Sequence, residues 1–232
     1  MTGPDFGARR FVALATDYDG TLAEDGAVSA ATLAALKRFK AQQGTLILVT
    51  GRVLPELQTV FPALDVFDLV VVENGALLYW PKSGEIRPLA AAPPPEFVEK
   101  LGRLGVAPIS AGHCIVATWE PHDAAVLHAI KELGLDLSII FNKGAVMILP
   151  TGVDKASGLK AAFAALNVAA SETIAFGDAE NDLPFLKLCG FSVAVGNALD
   201  SVKQAADWTT EAPRGAGVTE ALEQYLAAEK VA

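Results

Sequence analysis

Phe11 to Thr16 is an almost unbroken apolar run that stops at a polar cluster beginning with Asp17. Continuous rather than alternating apolar character marks a strand covered on both faces, so a buried strand is expected here. Ser29 precedes an Ala/Leu/Lys-rich stretch, Ala30 to Ala41, with helical spacing, and is its expected N-cap. Thr45 to Val49 reads as a second buried strand, Leu54 to Phe61 as a short helix, and Leu69 to Glu73 as a third strand. This alternation predicts a parallel sheet with crossover helices.

The rhythm changes after Asn74-Gly75. Leu77 to Trp80 and Glu85 to Leu89, separated by Pro-Lys-Ser-Gly, predict a hairpin. The Ala90 to Pro95 stretch then marks a boundary. Beyond it the pattern predicts a helix at Glu96–Leu104, a strand at Cys114–Trp119 and a helix at Asp123–Leu133. Strands near Leu137–Phe141 and Ala145–Leu149 complete a small α+β unit. The parallel rhythm resumes with helix Lys155–Leu166, strand Thr173–Phe176, helix Asp182–Leu188 and strand Phe191–Val195, and helices Ala198–Ala206 and Val218–Ala228 close the chain. The expected organisation is an α/β core over residues 1–80 and 151–232, interrupted by an inserted module over 81–150.

Composition narrows the function more than the fold. The net charge of −9 and the absence of any basic run argue against a nucleic-acid partner. No apolar run approaches the roughly 20 residues that span a bilayer, so no membrane partner is expected. The polar N-terminus lacks a signal-peptide pattern, and Cys114 and Cys189 have no disulfide or metal spacing. A cytoplasmic location is therefore the expectation. An acidic chain that binds an anion must do so through local cations, backbone amides or a metal.

Ligands of open parallel sheets bind beyond the carboxyl ends of the strands. Four such ends carry polar clusters: Asp17-Tyr-Asp19-Gly-Thr21, Thr50-Gly51-Arg52, the Gly152-Val-Asp-Lys155 stretch, and Gly177-Asp178-Ala-Glu-Asn181-Asp182. Asp17, Asp19, Asp178 and Asp182 would crowd carboxylates at one point, where like charges repel unless a cation neutralises them. An oxygen-only donor set favours a hard ion, and Mg²⁺ fits because it tolerates few carboxylates plus waters and phosphate. Lys155 adds positive charge at a helix start, the unfavourable end for a cation, which favours a functional role. Thr50 and the amides around Gly51 offer donors to phosphate oxygens.

In this order the four clusters resemble the motifs of the haloacid dehalogenase-like phosphatase superfamily. With Glu73-Asn74-Gly75-Ala76 they are similar to its Cof-type branch, which includes sugar-phosphate, sucrose-phosphate and phosphoglycolate phosphatases. The resemblance covers nearly the whole chain. It implies a Rossmann-like α/β core with helices on both faces and a small α+β cap that selects the substrate. It further implies Asp17 as nucleophile and Asp19 as general acid and base. The metal would sit on Asp17, the Asp19 backbone carbonyl and Asp178, with Asp182 bound or nearby. Thr50, Gly51 and Lys155 would hold the phosphoryl group of a small phosphorylated metabolite. Arg52, Asn74, Asn181 and His113 are candidate substrate or supporting residues. Tyr18 departs from the apolar residue common between the two aspartates, and the cap is short for this branch.

Plainer readings stand beside these. Asp-x-Asp-Gly alone could be a turn, Asn74 a turn cap, and Arg52 a surface ion pair. His122 and His128 read as surface helix residues, the cysteines as small buried hydrophobes, and Trp80, Trp119 and Trp208 as packing residues. A phosphosugar mutase would use the same Asp17 and Asp19 but return the phosphoryl group to sugar. A non-catalytic phosphate sensor would be expected to have lost one of them. A receiver-type domain would be shorter and lack the Gly-Asp-x-x-Asn-Asp cluster, and no P-loop motif is present.

Overall fold

The computed structural model describes residue 6, residues 10–142 and residues 144–229. The large sheet contains β1 (Ala13–Asp17), β2 (Thr45–Val49), β3 (Leu69–Val72), β4 (Leu77–Trp80) and β5 (Glu85–Pro88). The inserted sheet contains β6 (Ser110–Ala111), β7 (Val116–Trp119), β8 (Leu137–Asn142) and β9 (Ala145–Pro150). Then β10 (Thr173–Gly177), β11 (Phe191–Ala194) and β12 (Trp208–Thr209) return to the large sheet. The helices are α1 (Ala30–Ala41), α2 (Leu54–Val60), α3 (Pro95–Arg103), α4 (Asp123–Leu133), α5 (Lys155–Leu166), α6 (Leu183–Leu186), α7 (Asp200–Ala205) and α8 (Arg214–Glu229).

The large sheet runs β12-β11-β10-β1-β2-β3-β4-β5. All pairings from β12 to β3 are parallel, and β4 and β5 are added antiparallel at one edge. Both faces are covered, as the continuous apolar strands predict. Leu14, Leu46, Leu48, Val70 and Ile174 pack on one side with Leu36 of α1 and Leu222 of α8. Ala15, Ile47, Val49, Val71 and Ala175 pack on the other with Leu159 of α5 and Leu186 of α6. The chain leaves β1 toward β2 on one side, while β10 flanks it on the other, so a crevice opens at the carboxyl end of β1.

The inserted sheet, β6-β7-β9-β8, is antiparallel. One face buries Val116, Val146 and Ile148 beneath Phe97 and Leu101 of α3 and Val126 and Ile130 of α4. The other turns Ile115, Met147 and Leu149 toward Val53 and Val153 of the core. An apolar pad thus seats the module over the crevice.

Several expectations shift in detail. The second hairpin strand, β5, lies inside the 81–150 interval yet belongs to the large sheet, so the inserted unit's own structure begins at α3. Asp182–Leu188 divides into a 3₁₀ turn, Glu180–Asp182, and the single turn of α6. The final helix begins at Arg214, four residues ahead of Val218. Gly215 and Gly217 permit this: a Cβ on Gly215 would stand 2.6 Å from the Leu22 carbonyl, and one on Gly217 2.4 Å from that of Ala212. Ser29 caps α1 as expected, accepting a bond from the Thr32 amide at 3.1 Å.

Candidate active site

Side chains alternate along a strand. Leaving β1, Asp17 enters the crevice, whereas Tyr18 is fully buried in the core and donates its hydroxyl to the Gly26 carbonyl at 2.7 Å. The aromatic residue inside the motif therefore serves packing, and Asp17 and Asp19 remain on the chamber side. The next turn folds back, with the Leu22 and Ala23 amides both bonded to the Tyr18 carbonyl. That turn brings Thr21 to Asp178, whose Oδ1 accepts the Thr21 hydroxyl at 2.9 Å.

Asp154 caps α5 and forms a reciprocal capping box with Ser157. This fixes Lys155 at the first helical position, where its side chain runs inward and is only 1 % exposed. Nζ lies 2.6 Å from Asp17 Oδ1 and 2.6 Å from Asp182 Oδ1. The other oxygen of Asp182 accepts the amides of Asp178 and Ala179, both at 2.9 Å. Asp182 is thereby the organiser of the loop after β10 and the second anchor of Lys155.

Oxygens of Asp17, Asp178 and Asp182 lie within 4.8 Å of one another. Burial pushes the Asp17 carboxyl up to about 8, Asp182 adds to the rise, Lys155 opposes it and Asp178 raises it further. For Lys155 burial acts downward, but Asp17 and Asp182 outweigh it and raise its affinity for the proton. Net negative charge in a desolvated pocket, with oxygen donors only, suits a hard divalent cation. Asn181 fits the same picture, because its Oδ1 and Nδ2 are both buried without a partner among the described residues.

The Asp19 carboxylate is outside this acidic cluster. Arg52 grips it with a bidentate fork, Nε to Oδ2 at 2.7 Å and Nη2 to Oδ1 at 2.8 Å, and also pairs with Glu56. The Asp19 side chain is therefore held in an ion pair rather than in the acidic cluster. Thr50 is buried at the end of β2, its Oγ1 accepting the Arg52 amide at 3.2 Å. Asn74 adopts a left-handed conformation, φ 54° and ψ 32°, and its Oδ1 is buried without a partner among the described residues. That oxygen faces the Thr50 loop, 3.9 Å from where a Cβ on Gly51 would stand.

A chamber of about 300 Å³ lies between core and inserted sheet. Its floor includes Asp17, Asp19, Thr50, Gly51 and Arg52, and its roof includes Trp119, Asn142 and Met147. Trp119 corrects a sequence expectation: it is not a packing residue but a roof residue, 54 % exposed. Its signal was present in the alternation of Ile115, Ala117 and Trp119, but only the observed docking shows which face looks down. By its sequence position, His113 is a candidate substrate or supporting residue. It does not line this chamber, and its Nδ1 stands 3.5 Å from Glu73 Oε1 at the base of the inserted unit. Both cysteines are free thiols. Among the described residues no helix is long and apolar enough to cross a membrane.

Comparison with known proteins agrees with this geometry. The sequence pattern of haloacid dehalogenase-like hydrolases matches residues 14–101 and 114–222. The chain is 26 % identical over 223 residues to a phosphoglycolate phosphatase of Methanothermobacter thermautotrophicus, covering 92 % of this chain and 98 % of that one. A haloacid dehalogenase-like hydrolase from Bacteroides thetaiotaomicron superimposes with a TM-score of 0.78 at 21 % identity, over 93 % of this chain and all of that one. A subclass IIB sugar phosphatase superimposes with a TM-score of 0.75, also at 21 % identity, over 92 % and 98 % of the two chains. The chain is a member of the haloacid dehalogenase-like hydrolase family and a phosphatase.

Proposed function

We propose that this protein is a Mg²⁺-dependent phosphomonoester hydrolase that acts on a small phosphorylated metabolite through an aspartyl phosphate on Asp17. The observation that carries the reading is the buried Asp17 carboxylate, anchored through one oxygen by Lys155 beside Asp178. In the first step an Asp17 oxygen attacks phosphorus in line, and the bond from phosphorus to the ester oxygen breaks. The electron pair leaves on that oxygen, which takes a proton from Asp19. In the second step water attacks the same phosphorus, Asp19 accepts its proton, phosphate departs and Asp17 is restored. Lys155, Thr50 and the Gly51 amide hold the phosphoryl oxygens and stabilise charge as the transition state forms. Asp17, Asp178 and the Asp19 carbonyl would hold Mg²⁺, with Asp182 and Asn181 behind them, and the ion would neutralise charge on the phosphoryl group. The inserted unit acts as the cap over residues between β5 and α5.

Relatives named for phosphoglycolate and a neighbour named for sugar phosphate leave two sizes of leaving group in view. The chamber volume and the Trp119 roof support the larger, a ring with an apolar face. The test is phosphate release from a panel of phosphorylated metabolites with Mg²⁺, beside EDTA and Asp17→Asn controls. Release abolished by both controls is expected; no release from folded, Mg²⁺-loaded protein would overturn the reading.

A further inference from the structure

Glu73 is wholly buried and takes no part in the chemistry above. It follows β3 in the core, yet its carboxylate accepts hydrogen bonds from the other domain. Oε1 takes the His113 amide at 2.8 Å, and Oε2 takes the Cys114 amide at 2.6 Å. Both amides belong to the turn between β6 and β7, which the Gly112 amide closes by donating to the Ile115 carbonyl at 2.8 Å. The approach is close enough to exclude a side chain: a Cβ on Gly112 would lie 2.5 Å from Glu73 Oε1. From the same turn the Cys114 thiol donates to the Ala90 carbonyl at 3.0 Å, tying it to the chain that enters the cap.

The backbone beneath Glu73 is equally committed. Glu73, Asn74 and Gly75 have φ of 54°, 54° and 105°, three successive left-handed residues of which only the last is glycine. Such residues persist where surrounding contacts over-determine them. Here the Glu73 amide donates to the Arg52 carbonyl at 2.9 Å and the Asn74 amide to the Thr50 carbonyl at 3.0 Å. Gly75 lies against the Asp154 carbonyl, where even a Cβ would come within 1.9 Å. One turn therefore touches the Thr50 loop, the residue that caps the Lys155 helix, and the base of the cap.

We propose that Glu73 is a positioning residue, a latch that seats the cap on the core and so sets where its roof stands above Asp17. Two backbone amides bound to one buried carboxylate fix a point and a direction. Losing them frees the base of the β7 strand that ends at Trp119. The consequence for turnover rests on the phosphatase reading; the latch itself does not.

The test uses the full chain with two variants that open the latch from opposite sides. Glu73→Ala removes the acceptor, and Gly112→Ala pushes the amides away while leaving Glu73 in place. Hydrogen exchange at the His113 and Cys114 amides is expected to quicken by about tenfold or more in both, as for loss of charge-assisted bonds. With Mg²⁺, kcat/KM for a hexose 6-phosphate is expected to fall about tenfold through KM. Hydrolysis of acetyl phosphate, too small to reach the roof, should stay within about twofold, which a general loss of structure would not allow. Unchanged exchange in both variants overturns the latch. Equal losses on the two substrates overturn the cap-seating role. If the wild type hydrolyses nothing, the phosphatase reading fails, and the exchange measurement alone decides the latch.

Discussion

Lys155 Nζ lies 2.6 Å from Asp17 Oδ1, joining the first residue of one helix to the last residue of the central strand across 138 positions of sequence. The ammonium is also 2.6 Å from Asp182, so one cation holds two buried carboxylates. A salt bridge of this kind adds little beyond a well-packed apolar substitute, but breaking it leaves uncompensated charge.

Above pH about 8, where Asp17 is ionised, Lys155→Met should therefore destabilise the metal-free protein by about 3–5 kcal/mol, the usual cost of orphaning a buried ion. Urea unfolding in EDTA measures this directly. A loss below about 1 kcal/mol would mean that the carboxylates had already shed their charge. Under the proposed mechanism, in which Lys155 holds the phosphoryl group, activity should be lost in either case.

The Asp17 carboxyl gives a pH signature. Its ordinary value of 3.8 is pushed up to about 8, first by burial and then by Asp182 against the pull of Lys155. An acid raised on folding keeps its proton where the unfolded chain has released it. Between those two values the folded state binds more protons, so stability falls as pH rises through the window. The slope for one proton is at most about 1.4 kcal/mol per pH unit. Metal-free protein should show this decline from pH about 4 to about 8, and Asp17→Asn should flatten it. Mg²⁺, which needs the ionised form, should stabilise most at the upper end. An equal slope in Asp17→Asn would assign the effect to another group.

In the proposed mechanism Asp19 is the general acid, and Arg52 orients it. Because the fork binds both Asp19 oxygens, Arg52→Lys cannot reproduce it. Both Arg52→Lys and Arg52→Ala should lower kcat by about tenfold or more with smaller changes in KM, through misplacement of the proton donor. Steady-state kinetics on a ring phosphate and on phosphoglycolate, both of which expel an alkoxide that needs a proton, should show the loss on both. A loss confined to the ring substrate would make Arg52 a leaving-group contact instead.

Trp119 should divide the substrates. Removing its ring with Trp119→Ala is expected to raise KM for a hexose phosphate by about tenfold, the value of a modest apolar contact. Acetyl phosphate kinetics should be nearly unchanged. Equal KM values for wild type and variant across the panel would remove Trp119 from recognition.

The parts of this molecule that were readable in its sequence are those governed by local rules. Residues Leu14, Leu46 and Val70 belong to strands covered on both faces, and continuous apolar runs announce such strands. Asp17, Thr50 and Asp178 lie at or just beyond the carboxyl ends of β1, β2 and β10, so their meeting follows from sheet topology alone. Lys155 could be expected there because a cation at a helix start needs a reason. What remained hidden depends on docking. Trp119 faces the chamber only because the apolar pad of Met147 and Leu149 turns that face of the cap sheet downward. The Arg52 fork on Asp19 depends on side-chain reach, which motif spacing does not give. Glu73 carried no local signal, since its partners lie 40 and 41 positions away and its backbone conformation is set by neighbours on three sides.

The two ends of the inserted unit meet the core at adjoining residues. Leu89 donates its amide to the Ala76 carbonyl, and Asp154 packs against Gly75. The large sheet, Asp17 and Lys155 thus stand on the core side of a narrow gap through which the inserted unit is threaded. For protein engineering, that gap is the natural splice point for grafting a different roof.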